Sequence, residues 1–365
     1  MKKICRLFFL VVLFSSLVSP LRAMVINITY DASVTNLANP ALVQPAVAAA
    51  VQFFQNQYTN PITVNIIVAF DPAVGLGQSQ FSLISQNYSQ LTNALVSRRA
   101  SAADFSSVAS LPANDPIGPG TTWYVPRAEV KALGITGVGV GANDAVNDGD
   151  VSFAPPTSTS YTFDPANRAV AGKIDFIGVV EHEISEVLGR AYLLNYGISG
   201  YAPYDLFRFT NNAARSFDIN ANNAYFSVNN GATPQKYFYT DVNTGDIQDW
   251  TSSTPTDAFD AYVTSGKQLV ISSADILALD ILGYNSPGVT PPALTGTRLA
   301  NGTFRISFAN MANTNFTVLA STNVALALSS WTVLGATTES SAGQYQFIDT
   351  QAATNQRRFY RVRSP

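Results

Sequence analysis

Residues 25–30 place Ile26, Ile28 and Tyr30 on one side of an extended chain, the period-two pattern of a strand. Val43, Val47, Val51 and Phe54 then recur every three or four positions in an alanine-rich stretch, which predicts a helix over 40–58. Ile62, Val64, Ile66, Ile67, Val68 and Phe70 make a near-continuous apolar run, predicting a strand buried within a sheet. Helices follow over 86–96 and over 101–110, where Ser101 is a candidate N-cap. A shorter helix over 126–133 has Pro126 in its first turn and Gly134 just past its end. A turn and strand over 148–153 lead to a further helix over 175–190. Its apolar stripe is Ile177, Val180, Ile184, Val187 and Leu188, with Asp175 as candidate cap and Gly189 as stop. Strand, helix, strand, helices, strand and helix in this order predict an α/β sheet domain.

The period fades after residue 192. Residues 192–265 are rich in Asn, Asp, Gly and Tyr and predict long loops with short strands such as 224–228. Residues 273–282 read as a closing helix ended by Gly283. Residues 286–293 are rich in proline and form the expected linker. From 294 to 365 short alternating runs around Phe304, Phe316, Trp331, Tyr345 and Phe359 predict a small all-β sandwich. The expected division is therefore 1–23 as a signal peptide, 24–285 as the main domain, 286–293 as linker and 294–365 as the sandwich.

The signal is expected because Lys2, Lys3 and Arg6 precede an apolar run from Leu7 to Val18, with a small residue at Ala23. The run is too short to span a membrane comfortably, so the mature protein is expected to be secreted, extracellular or at the cell surface, without a membrane span. The single cysteine, Cys5, falls inside the signal and leaves the mature chain without disulfides. Removing Lys2, Lys3, Arg6 and Arg22 leaves 17 basic against 24 acidic residues, a net charge of −7. Such a surface does not favour nucleic acid or an anionic membrane.

The chemistry concentrates on the helix over 175–190, which holds the one histidine of the chain. His182 and Glu186 stand four residues apart, side by side on one helical face, and Glu183 lies on their flank. The first two are candidate metal ligands, and Glu183 is the candidate general base that takes a proton from a metal-bound water. Asn143, Asp144, Asn147, Asp148 and Asp150, and later Asp241, Asn243, Asp246 and Asp249, form acidic groups without EF-hand spacing. Turn chemistry is the commoner cause of such runs. No Gly-x-Ser-x-Gly elbow accompanies the histidine.

Residues 180–190, Val-Glu-His-Glu-Ile-Ser-Glu-Val-Leu-Gly-Arg, resemble the active-site helix of a group of secreted bacterial metalloproteases. These are associated with exosortase sorting signals and are distantly similar to the leishmanolysin and matrixin type of zincin. The likeness continues through 204–209, 225–231, 245–250, 257–259 and 275–284, and covers roughly residues 24 to 285. It implies a zincin-like α+β fold, a twisted sheet with an active-site helix, and an exported metalloendopeptidase that acts on a protein or peptide substrate. It implies Zn2+, with His182 as first ligand and Glu186 where the family has its second histidine. The third ligand in leishmanolysin-like relatives corresponds to Asp249, with Asp205 as the alternative, while the matrixin-like position falls on Tyr192. No methionine stands where a Met-turn would be, since only Met24 and Met311 follow the signal. One imidazole and two carboxylates would neutralise a divalent ion and shift preference toward harder metals, so another divalent ion also suits the set. The alternative reading is a catalytically silent relative that keeps the fold for binding or surface display.

Overall fold

The computed structural model describes residues 24–286, 294–309, 316–324, 326, 330–341, 344–355 and 357–363. The expected signal peptide and nearly all of the expected linker lie outside them. The chain divides into two compact units, one ending at Ser286 and the other beginning at Pro287.

The first unit opens with β1 (Val25–Tyr30), a short α1 (Ala32–Thr35), α2 (Val43–Gln57) and β2 (Thr63–Phe70). Next come β3 (Gly77–Phe81), β4 (Leu83–Gln86), α3 (Tyr88–Arg98), α4 (Ala102–Ala109), β5 (Trp123–Pro126), α5 (Arg127–Leu133) and β6 (Gly149–Phe153). Two-residue strands β7 (Tyr161–Thr162) and β8 (Ile174–Asp175) precede α6 (Phe176–Val187). The main sheet runs β1-β2-β6-β3, with the first three strands parallel and β3 antiparallel at the edge.

In β2 the side chains of Val64, Ile66, Val68 and Phe70 are buried, while Thr63, Asn65, Ile67 and Ala69 are half-buried. The strand is thus fully covered on one face only, although its near-continuous apolar run predicts burial on both. The covered face shares one apolar core with buried residues of α2 and α6, and Phe70 meets Phe176 at 6.0 Å between ring centroids. Phe176 at the start of α6 meets Phe153 at 5.0 Å, Tyr161 at 5.1 Å and Phe163 at 4.8 Å between ring centroids. Burying such a ring stabilises the fold by about 1.5–3 kcal/mol.

Strand β3 is the element that the apolar pattern misses. Its sequence, Gly-Gln-Ser-Gln-Phe, has no buried apolar face, because it is an edge strand running beside α6. Helix α3 begins two residues later than its period predicts, where Asn87 and Gln90 form a capping box. Asp144 and Asp148 lie against α5. Lys131 Nζ is 2.6 Å from Asp148 Oδ2 and 3.2 Å from Asp144 Oδ1, and Arg127 pairs with both carboxylates. The first acidic run therefore anchors a loop to a helix, and in the second, Asp241 accepts from Asn243 N and Thr244 Oγ1 within its own turn.

Beyond α6 lie β9 (Arg208–Asn211), β10 (Ala214–Arg215), β11 (Tyr225–Phe226) and β12 (Lys236–Tyr237), a small sheet in the order β10-β9-β11-β12. Trp250 stacks on Phe238 at 5.0 Å and donates from Nε1 to Asp275 Oδ1 at 2.6 Å, at the start of α7 (Ser273–Asp280). Residues that lack a period are thus held by aromatic packing and single hydrogen bonds. Among the described residues, no helix is long and apolar enough to cross a membrane.

The second unit contains β13 (Thr295–Arg298), β14 (Phe304–Ala309), β15 (Thr317–Ser321), β16 (Thr332–Ala336), β17 (Thr338–Ser341), β18 (Gln344–Asp349) and β19 (Phe359–Arg363). They form two antiparallel sheets, β13-β14-β18-β17 and β16-β15-β19. Phe308 and Tyr345 of the first meet Phe316, just before β15, and Val362 of the second in a shared apolar cluster.

Candidate metal centre

Helix α6 is buried on nearly every side, and only His182 among its residues keeps partial exposure. The expected cap does not form. Asp175 instead accepts from Arg168 Nε and from Leu269 N, which ties the segment near 269 to the start of α6. Gly178 permits this crossing, since a Cβ there would lie 2.3 Å from Leu269 Cβ. Just past the helix, Gly189 has a φ of 128°, a left-handed conformation that favours glycine.

His182, Glu186 and Asp249 converge. His182 Nε2 is 3.5 Å from Glu186 Oε1 and 3.4 Å from Asp249 Oδ1, and the three donor atoms lie within 4.8 Å of one another. Ligands about 2.1 Å from a tetrahedral ion stand about 3.4 Å apart, so the two measured edges suit such an ion. The ring orientation suits it too. Nδ1 of His182 lies 2.8 Å from the carbonyl of Ala258, so the neutral ring donates there and turns the lone pair of Nε2 toward the carboxylates.

A further layer holds the carboxylates. Ser79 Oγ donates to Glu186 Oε2 at 2.7 Å from strand β3, and Gln248 Nε2 donates to Glu186 Oε1 at 2.8 Å. Arg190, fully buried, places Nη1 2.5 Å from Asp249 Oδ1 and Nη2 3.4 Å from Glu186 Oε1, with its guanidinium 4.4 Å from the Phe259 ring centroid. Sequence reading assigns no role to Ser79, Gln248, Arg190 or Ala258. Arg190 follows Glu186 at i+4, a spacing that pairs charges on a helix, and this was the one available signal. Ser79 lies in no pattern at all.

Glu183 lines the cleft beside His182 with 5% exposure, and no described residue donates a hydrogen bond to it. The opposing wall is Gly77 of β3, where a Cβ would come within 2.2 Å of Glu183 Oε1. The cleft, about 130 Å³, also includes Asp246, Asp249 and Leu269.

The charges in this cluster depend strongly on one another. Burial is the largest influence on His182 and opposes its charge, but Asp249, Glu186 and Glu183 together outweigh it and move the imidazole up to about 10. Burial raises Glu186 as well, yet its hydrogen bond with His182 and the Arg190 charge bring it down to about 2. Glu183 is raised well above the ordinary glutamate value, first by burial and then by the charge of Glu186. Asp246 moves up to about 6 through burial and the charges of Glu186 and Asp249.

The other two candidate positions are directed elsewhere. Asp205, the alternative third ligand, is fully buried and accepts from Ala202 N at 2.8 Å, Leu194 N at 3.0 Å and Leu193 N at 3.3 Å. It braces the loop after α6 through its backbone and is not in the cluster with His182. Tyr192 stacks on Tyr204 at 4.8 Å within an aromatic group that includes Phe238.

No family model, no curated protein and no solved structure matches this chain.

Proposed function

We propose that this protein is an exported, zincin-like metal-dependent peptidase in which His182, Glu186 and Asp249 hold a divalent ion and Glu183 moves the proton. The observation that carries the reading is the convergence of three donor atoms within 4.8 Å beside a buried carboxylate with no hydrogen-bond donor of its own. The motif series from residue 180 to 284 supports the family, and the basic and apolar start of the chain supports export. A bound ion supplies Lewis acidity, which makes a hydrolytic water acidic and steadies negative charge on a carbonyl oxygen. Glu183, with its proton affinity raised by burial, takes the proton of that water and passes it to the leaving nitrogen. Ala258 orients His182, while Ser79, Gln248 and Arg190 fix the two carboxylates. Zinc follows from the resemblance, and the oxygen-rich donor set also accommodates manganese or another harder divalent ion.

The test is Glu183→Gln in the full chain. Hydrolysis of a fluorescein-labelled protein substrate should fall by about 100- to 10,000-fold while bound metal, measured by mass spectrometry, stays the same. Cleavage at the native rate by the variant overturns the mechanism.

One observation favours a second reading. Arg190 and Gln248 already bond the carboxylate oxygens that face His182, so a protonated His182 and Arg190 balance Glu186 and Asp249 without an ion. In that reading the protein is a catalytically silent binding or surface-display protein. Purified protein that takes up no divalent metal and cleaves no peptide supports it.

A further inference from the structure

We propose that the cleft beside His182 takes up a lysine or arginine side chain of a peptide ligand, with Asp246 as the residue that receives the cation. The inference deepens the peptidase reading and rests on it for calling that peptide a substrate.

The lining of the cleft includes Glu183, Asp246, Asp249 and Asp260 but no lysine or arginine. Three of these acids already have a task. Asp249 is paired with Arg190, Asp260 accepts from Thr256 N and Asp257 N at 3.0 Å each, and Glu183 faces the reacting centre. Asp246 is different: it lines the cleft while remaining exposed, and no described residue donates a hydrogen bond to its carboxylate. The backbone bond from Asp249 N to Asp246 O, at 3.2 Å, fixes it one turn from the candidate ligand.

Two independent features point to a cationic occupant. The carboxyl of Glu183 is more than nine-tenths buried, has no hydrogen-bond donor and borders the same space, an arrangement that a positive or hydrogen-bond-donating group completes. At the edge of the cleft, Tyr239 packs against Gly245, and its hydroxyl lies 2.8 Å from that of Tyr262, with the rings 5.4 Å apart at 87°. Aromatic faces beside a carboxylate suit guanidinium and ammonium groups. Leu76, Val179, Val263 and Leu269 give the methylene stem an apolar path. A volume of 130 Å³ corresponds to roughly four waters, enough for one side chain and too little for a folded partner.

The experiment measures binding of two fluorescein-labelled decapeptides, identical except for a central arginine or glutamine, by anisotropy. The protein is the full chain carrying Glu183→Gln, so that the peptides stay intact, with and without Asp246→Asn. The arginine peptide should bind about tenfold more tightly, and Asp246→Asn should reduce the ratio to about twofold or less with bound metal unchanged. Equal binding of the two peptides, or a ratio that survives Asp246→Asn, overturns the inference. An arginine preference that depends on Asp246, together with no cleavage of either peptide by the native protein, retires the peptidase reading alone. Cleavage of both peptides at one rate by the native protein, with equal binding to the Glu183→Gln chain, retires the inference alone.

Discussion

Arg190 Nη1 lies 2.5 Å from Asp249 Oδ1, the oxygen that also faces His182 Nε2 at 3.4 Å. The guanidinium is fully buried and also touches Glu186, Ser185 and the face of Phe259. It joins the C-terminal end of α6 to the loop that carries Asp249, two segments separated by about sixty residues.

Removing Arg190 should therefore destabilise the whole first unit as well as the site. Breaking a buried pair leaves its partner charged and unpaired, at a cost of about 3–5 kcal/mol. Arg190→Ala should lower the unfolding free energy by that amount in urea titrations. A loss below about 1 kcal/mol would show that Asp249 and Glu186 re-pair without it.

Metal affinity should separate the three converging donors from the acids around them. His182→Ala, Glu186→Ala and Asp249→Ala should each weaken zinc binding, followed by calorimetry, by at least about 100-fold. Ser79→Ala, which removes only a hydrogen bond to Glu186, should cost about tenfold. If Asp249→Ala binds zinc like the native protein, the third donor is not Asp249.

Gly77 offers a test of geometry without touching a charge. A Cβ there meets Glu183 Oε1 at 2.2 Å, so Gly77→Ala should displace the carboxyl by an ångström or more. A shift of that size can cost about 100-fold in rate. The expected result is a drop in kcat with bound metal and unfolding midpoint nearly unchanged. Native kcat in this variant would mean that the position of Glu183 is unimportant.

How much of this is legible from sequence depends on the kind of interaction. Helix α6 and its stripe, Ile177, Val180, Ile184 and Val187, follow from a repeating apolar period, as does α2, while β2 follows from a near-continuous apolar run. His182, Glu183 and Glu186 follow from helical spacing, and Asp249 follows only from the motif resemblance, because no local rule links it to residue 182. Strand β3 is hidden because an edge strand of polar residues has no period to detect, yet it supplies Ser79 and Gly77 to the site. Asp175 looks like a helix cap by position, but Arg168 and Leu269 N compete successfully for its oxygens. Long-range pairing of this kind leaves no trace in a local window.

Asp205 provides the clearest separation of a structural carboxylate from the candidate metal-binding ones. Burial raises it to about 7, against the pull of three backbone N–H donors, from an ordinary value of 3.8. The folded protein therefore holds this proton over a range in which the unfolded chain has lost it. The sign follows: the stabilising contribution is complete below about pH 4, declines as pH rises and is gone above about pH 7. The change is on the order of 2–4 kcal/mol, with Asp275 and Asp280, also raised by burial, acting in the same direction. Asp205→Asn cannot ionise, so its unfolding free energy should fall less between pH 4.5 and 7.5 than that of the native protein. Its zinc affinity should equal the native value, because its side chain faces Leu193, Leu194 and Ala202 rather than His182. An unchanged pH slope would locate the titrating proton elsewhere, and a loss of zinc would return Asp205 to the ligand set.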